Sequence, residues 1–226
     1  MKTHSDYLAE LKDFFWKNGF NPSEHQLIRY ANFCELFAEK NETLNLVSRK
    51  DIDNLVENHV FQGALISEYL PPKMNRFLDI GTGGGFPGIP FALSNPMMRG
   101  VLADSIGKKI DAVNEFIHKL KISNIVAENS RVEDEEFIKK HEGKFDLILS
   151  RATVQLIVLV RYALPLIKER AFLMAIKGGD LSEEIKKAEM KYKAYIKKST
   201  IIELAYKPTN VRNEKEKKLI LLELHK

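Results

Sequence analysis

The apolar positions change period near residue 75. Ahead of it they recur at helical spacing, and beyond it short apolar runs alternate with helical stretches. Leu8, Leu11, Phe14 and Phe15 predict an amphipathic helix over residues 5–18, stopped by Gly19. Asn21-Pro22-Ser23-Glu24 reads as the next helix start, with Asn21 as N-cap, Pro22 first and Glu24 third. That helix is expected to reach about Lys40, with Leu27, Ile28, Ala31, Cys34, Phe37 and Ala38 on one broad face. Residues 41–48 read as a polar loop whose two leucines turn inward, and a third helix runs from about Lys50 or Asp51 to Tyr69, ended by Pro71-Pro72. These helices cannot close a core alone, so residues 1–72 are predicted to form a helical cap on a core of residues 73–226.

From Arg76 the pattern alternates. Strands over 76–80, 100–104, 124–128, 145–150 and 170–176 are followed by helices over 88–94, 107–120, 133–140, 155–167 and 181–197. Two last strands, 199–206 and 217–224, are separated by a polar loop around 208–216 and suggest an antiparallel hairpin. The expected fold class is α/β: a mostly parallel sheet of seven strands with helices on both faces.

Composition narrows the class. Of 226 residues, 44% are hydrophobic and 29% charged, ordinary for a globular domain. No apolar run reaches the roughly 18 residues of a membrane span, and the N-terminal stretch lacks the apolar core of a signal peptide. Cys34 is the single cysteine, so an internal disulfide and cysteine metal clusters are excluded, and its apolar neighbours predict a buried thiol. A cytoplasmic protein is expected. The net charge of +4 permits an anionic partner such as RNA without requiring one. Residues 181–198 hold six lysines against three acids, which a solvated helix face explains as well as an RNA surface does.

The candidate chemistry centres on residues 76–90, RFLDIGTGGGFPGIP. An apolar strand, an acid, a glycine turn and a helix start are the layout of a nucleotide-type cofactor site. Gly83-x-Gly85-x-x-Gly88 fits the dinucleotide pattern, whereas Asp79-x-Gly81-x-Gly83-x-Gly85 fits that of S-adenosylmethionine (SAM) enzymes. A ligand-free glycine loop is disfavoured, because five glycines in residues 81–88 carry a large backbone-entropy cost. Asp104, at the second strand end, suits a ribose diol, with a helix cap as the plainer role. Arg151, at the fourth, suits a carboxylate, a phosphate or a guanine edge, with a structural salt bridge as the plainer role. His59 could face the same pocket or be structural. Metal hydrolysis and acyl transfer find no HxxxH, CxxC or serine elbow, so no metal is expected.

Several stretches, in order over roughly residues 40–180, carry a family likeness. They are Leu44–Ser48, His59 in its helix, Phe77–Pro90, Ala103–Lys109, Ser130–Glu133, Leu149–Ala152 and Ala175–Gly178. With its Pro87-Gly88-Ile89-Pro90 tail, the chain resembles the glucose-inhibited division protein B family of bacterial small-subunit ribosomal RNA guanine-N7 methyltransferases. The resemblance implies a Rossmann-like SAM-dependent methyltransferase with a helical cap, yielding S-adenosylhomocysteine. It implies cofactor contacts at Gly81, Phe86, Val132, Glu133 and Arg151, with Asp79, Gly83 and Gly85 in the glycine frame and Asp104 on the ribose. The implied partner is 16S rRNA, free or in the small subunit or its assembly intermediate, met by a monomer with no membrane role. Guanine N7 has a lone pair and no proton, so no general base is needed, and Arg151 or Lys177 is expected to donate to O6 or a nearby phosphate. Lys108, Lys109 and Arg131 are the candidate phosphate contacts. The chain departs from the family at His59-Val60-Phe61-Gln62-Gly63, where relatives usually read HILDS and Gln62 replaces the acid.

Three competing readings remain: a NAD-dependent oxidoreductase, an RNA-binding module without catalysis, and a small-molecule methyltransferase. Against the first, Pro71-Pro72 breaks any helix linking Tyr69 to Lys73.

Overall fold

A computed structural model describes residues 2–151, 153–204, 206 and 217–226. The sheet contains β1 (Arg76–Ile80), β2 (Arg99–Asp104), β3 (Ile125–Asn129), β4 (Phe145–Arg151), β5 (Ile167–Gly178), β6 (Ile196–Glu203) and β7 (Lys217–His225). Its order is β3-β2-β1-β4-β5-β7-β6. The first five strands pair in parallel, and β7 lies antiparallel between β5 and β6. The hairpin expected at the end of the chain is therefore present, with its later strand on the inside. The loop expected over 208–216 lies outside the described residues, as does Ala152.

Strand order reverses beside β1, which has β2 on one side and β4 on the other. Such a switch point opens a crevice at the strand carboxyl ends. The crossovers run through α5 (Gly88–Ser94), α6 (Gly107–Lys119), α7 (Glu135–His141) and α8 (Leu156–Leu166), and α9 (Ser182–Lys191) follows β5. The sequence placed the end of α9 at 197, but the helix stops at Lys191. Ile196 onward pairs with β7 instead, since pairing satisfies a ladder of backbone groups that helix extension would leave the sheet without.

The N-terminal helices are α1 (His4–Lys17) and α2 (Glu24–Leu44), followed by α3 (Arg49–Ile52), a π-helical turn (Val56–Phe61), α4 (Gln62–Leu65) and a 3-10 turn (Ile66–Tyr69). Ser23, not Asn21, caps α2: its hydroxyl accepts from the Gln26 N–H while the Gln26 side chain accepts from the Ser23 N–H. The helix also runs beyond Lys40, ending at Asn45 in the left-handed region (φ 47). Asn41 is buried within it and accepts the Val47 N–H at 2.8 Å, which folds the following segment back inward.

The sheet separates two apolar layers. On one face Leu78, Ile148, Leu173 and Ile220 pack on Leu159, Val160 and Ala163 of α8 and Ile185 of α9. On the other, Phe77, Leu102, Leu149 and Met174 share one core with Phe14, Phe15, Tyr30, Phe33 and Phe37 of α1 and α2. Phe61 meets Phe14 and Phe15 edge-on at 4.9 and 5.0 Å. Phe33 and Phe37 reach Phe86 at 5.3 and 5.0 Å, directly under the glycine loop. No helix among the described residues is long and apolar enough to cross a membrane.

Candidate active site

A cleft of about 1300 Å³ opens where β1, β2, β4 and β5 end. The glycine loop forms its floor. Gly81 and Thr82 donate their N–H groups to the Ala103 carbonyl at 2.9 and 3.0 Å, and Gly85 and Phe86 donate to Thr82 O, both at 2.9 Å. Gly83 donates to Asp104 Oδ2 at 2.9 Å, while Asp104 Oδ1 accepts the Ile106 N–H at 2.9 Å. Asp104 thus ties the loop to the end of β2 and still lines the cleft with spare lone pairs. Gly83 has φ +57, and a Cβ there would meet nothing within 4 Å, so its open side lets a ligand approach the backbone. Gly84 is closed from beneath: a Cβ would lie 2.7 Å from the Phe37 ring.

Asp79 lies under this floor, not on it. It is fully buried, and its Oδ2 accepts the Gly88 N–H at the start of α5 at 2.9 Å. Burial pushes its carboxyl up to about 7, against the opposing pull of the Thr82 hydroxyl and the Gly88 N–H. Gly85 also sits off the cleft surface, packed on Ile89.

Arg151, at the end of β4, lines the cleft and is held on three sides. Nη1 donates to the Asn58 carbonyl at 2.9 Å, Nη2 donates to His59 Nδ1 at 2.6 Å, and the guanidinium lies 5.3 Å over the Phe86 ring. Burial lowers its pKa to about 10, with the Asp79 and Asp51 charges pulling the other way. It remains a cation at neutral pH. Beyond His59, Nε2 meets Asp51 Oδ2 at 2.9 Å. Burial takes the imidazole down to about 4, opposed by the Asp51 hydrogen bond, so the ring is neutral. The His59 hydrogen bond holds Asp51 down at about 2. The Ser150 hydroxyl binds Ile80 O and Thr153 Oγ1, locking the ends of β4 and β1 together.

The cleft therefore brings together Gly81, Gly83, Phe86, Asp104, Lys109, Arg151 and Lys177. Lys177 is already engaged, by Glu184 at 2.6 Å and by Val154 O at 2.8 Å. Val132 is buried in the opposite layer, Glu133 accepts from the Tyr162 hydroxyl at 3.2 Å, and exposed Arg131 lies 3.9 Å from Glu133. These three and Lys108 do not line the cleft. Gln62 does line it, and its amide donates to the Tyr206 hydroxyl at 3.0 Å. Sequence reasoning missed Asp51, Asn58, Thr153 and Lys50. Nothing in their spacing marks them: the one-turn helix α3 carries Lys50 and Asp51, the π-helical turn carries Asn58 and the loop after β4 carries Thr153. No group of three or more histidine, cysteine or acidic side chains that could hold a metal ion occurs among the described residues.

Comparison with known proteins matches this geometry. A family model described as "GidB: rRNA small subunit methyltransferase G" matches residues 24–212. The ribosomal RNA small subunit methyltransferase G of Chlorobium limicola is 39% identical over 189 residues, covering 83% of this chain and 84% of that protein. That of Phocaeicola vulgatus is 33% identical over 200 residues, covering 84% and 92%. Among solved structures, a SAM-dependent methyltransferase from Aquifex aeolicus superposes with TM-score 0.55 at 15% identity, covering 83% of this chain and 97% of that one. M. jannaschii TYW2 in complex with AdoMet gives TM-score 0.55 at 13% identity, covering 80% and 78%. At such low identity the last two speak for the fold alone.

Proposed function

The chain belongs to the GidB family, the rRNA small subunit methyltransferases G, and from that premise we propose that its cleft binds SAM and methylates N7 of a guanine in 16S rRNA. The carrying observation is the pairing of an open glycine floor at Gly83 with a half-buried cation, Arg151, across one cleft. SAM fits that pairing. The floor admits its backbone-hugging portion, Asp104 has lone pairs for a ribose diol, and Arg151 keeps three N–H groups for a carboxylate or for guanine O6. Asp79, Gly81, Gly85 and Phe86 shape the floor, whereas Val132 and Glu133, in the segment after β3, lie outside the cleft lining. Bound SAM supplies an electrophilic methyl on a cationic sulfur.

The remaining work falls to the protein as positioning. Both ring nitrogens of His59 are occupied, and each Asp104 oxygen accepts a backbone N–H, its remaining lone pairs being assigned to the ribose diol. A poised general base is thus lacking at these positions, which suits an acceptor that has a lone pair and no proton to lose. In-line transfer then depends on holding N7 about 3–3.5 Å from the methyl, an orientation effect on the order of 7–11 kcal/mol. Arg151, with Lys177 beside it, orients the substrate. Residues to 72 act as a cap that lends His59, Gln62 and Lys50 to the cleft of the 73–226 core. The enzyme works as a monomer in the cytoplasm on the small subunit, its assembly intermediate or free 16S rRNA.

The test is methyl transfer from labelled SAM to 16S rRNA, naked and in small subunits, with chemical cleavage at N7-methylguanine. The expected result is one labelled guanine and scission at that nucleotide. Label on another atom overturns the N7 assignment, and absence of label from all forms of the RNA overturns the substrate. Arg151→Ala should reduce transfer at least tenfold.

A further inference from the structure

Asp51, His59 and Arg151 form one hydrogen-bonded chain along the cleft wall, and its polarity is fixed by Arg151. A guanidinium has only donors. His59 Nδ1, 2.6 Å from Nη2, must therefore accept, so it carries no proton. The ring proton then sits on Nε2 and is donated to Asp51 Oδ2 at 2.9 Å. The other Asp51 oxygen accepts from Asn58 Nδ2 at 2.7 Å, and the Asn58 carbonyl accepts Arg151 Nη1 at 2.9 Å, closing a ring of contacts. Phe86 backs both partners, 4.9 Å from the imidazole and 5.3 Å from the guanidinium. The segment that carries Asn58 and His59 is π-helical. Such turns widen a helix and recur at functional sites.

We propose that Asp51 and His59 are positioning residues, whose role is to fix the guanidinium plane of Arg151 against Phe86 so that its free N–H groups meet the carboxylate of the bound cofactor. This rests on the reading above, and within it on Arg151 meeting the SAM carboxylate and not guanine O6. The chain makes sense as positioning. A neutral imidazole adds no charge to compete for the ligand, yet it fixes one guanidinium edge through an acceptor that cannot rotate away. Asp51 selects the tautomer that makes this possible.

Nitrogen-15 NMR of the histidine-labelled full chain reads the tautomer directly. Nδ1 of His59 should be unprotonated and Nε2 protonated near neutral pH, and the reverse assignment overturns the proposal. Kinetics test its consequence. His59→Phe keeps the packing but removes the acceptor. It should raise KM for SAM and lower kcat/KM on the order of tenfold to a hundredfold, as expected for a misplaced positioning contact, while the melting temperature moves little. His59→Asn, which restores an acceptor near Nδ1, should recover part of the loss. If His59→Phe matches wild type while Arg151→Ala is defective, positioning fails and the role of Arg151 stands. If Arg151→Ala also matches wild type, the reading of Arg151 itself fails. Should His59→Phe not fold, half-exposed Asp51 takes over the test: Asp51→Asn should raise KM for SAM, and unchanged kinetics overturn the proposal.

Discussion

At the scale of single residues, Asp79 and His59 are buried titratable groups with opposite effects on stability. The Asp79 carboxyl is raised from 3.8 to about 7, so between those values the folded chain binds more protons than the unfolded one. Stability from this group falls as pH rises through that window, by up to about 4 kcal/mol. His59 is lowered from 6.5 to about 4, so the unfolded chain binds more protons there. Its contribution is full above pH 6.5 and is lost as pH falls toward 4, on the order of 3 kcal/mol. The two slopes offset each other. Asp79→Asn should leave a protein whose stability climbs with pH between about 4 and 6.5, and His59→Phe one whose stability declines from about 4 to 7. Urea titrations across that range check both signs. The glycines separate in the same way. A Cβ on Gly88 would lie 2.6 Å from Asp79 Oδ2 and 2.8 Å from Leu102, so Gly88→Ala should cost stability, about 1–3 kcal/mol by overpacking. Gly83→Ala meets no atoms, so beyond the backbone strain its loss should appear in SAM affinity by calorimetry. Sequence alone marked both glycines and Asp79 as a unit, but not which faces the ligand. That depends on strand parity: Leu78 and Ile80 fill one layer, while Phe77 packs into the other, toward the cap.

At the scale of elements, the floor of the cleft is supported by a helix from the other end of the chain. Phe37 of α2 lies against Gly84 and packs on Phe86 and Phe116. Phe37→Ala should lower stability by about 3–5 kcal/mol and weaken SAM binding without touching a polar contact. Saturating SAM should restore part of the loss, since a ligand bound only to the folded state adds stability. A variant with lowered stability but unchanged SAM affinity would show that the floor stands without this support. β1 and α5 have the limits the sequence implied, because glycines and prolines punctuate them locally. The segment 49–69 was legible only as helix. Its division into α, π and 3-10 turns answers to Arg151 and to α5, where a Cβ on Gly63 would lie 2.8 Å from Pro90. No local pattern encodes such demands.

At the scale of the whole molecule, charge is the part of the function that distance leaves least specified. Lys109 reaches the cleft, whereas Lys108 and Arg131 lie outside its lining, a distribution suited to phosphates flanking an inserted guanine. Reversing Lys108 and Lys109 to glutamate should weaken RNA binding and flatten its salt dependence, the slope changing by roughly 0.7–0.9 per lost phosphate contact. Filter-binding at several salt concentrations measures this, and an unchanged slope would assign those lysines to the solvated surface. The architecture itself was legible from the alternation of apolar runs. The inner place of β7 was not, because hairpin strands can add to a sheet edge in either order. That placement has a consequence for synthesis. The chain through residue 203 exposes the long β5 edge, while β6 has no partner until β7 has been made. Order of translation and order in the sheet thus disagree. A growing or truncated chain that stops before residue 217 holds an open strand edge able to recruit strands from other molecules, so ribosome-stalled or nicked forms should aggregate rather than persist as a smaller, inactive enzyme.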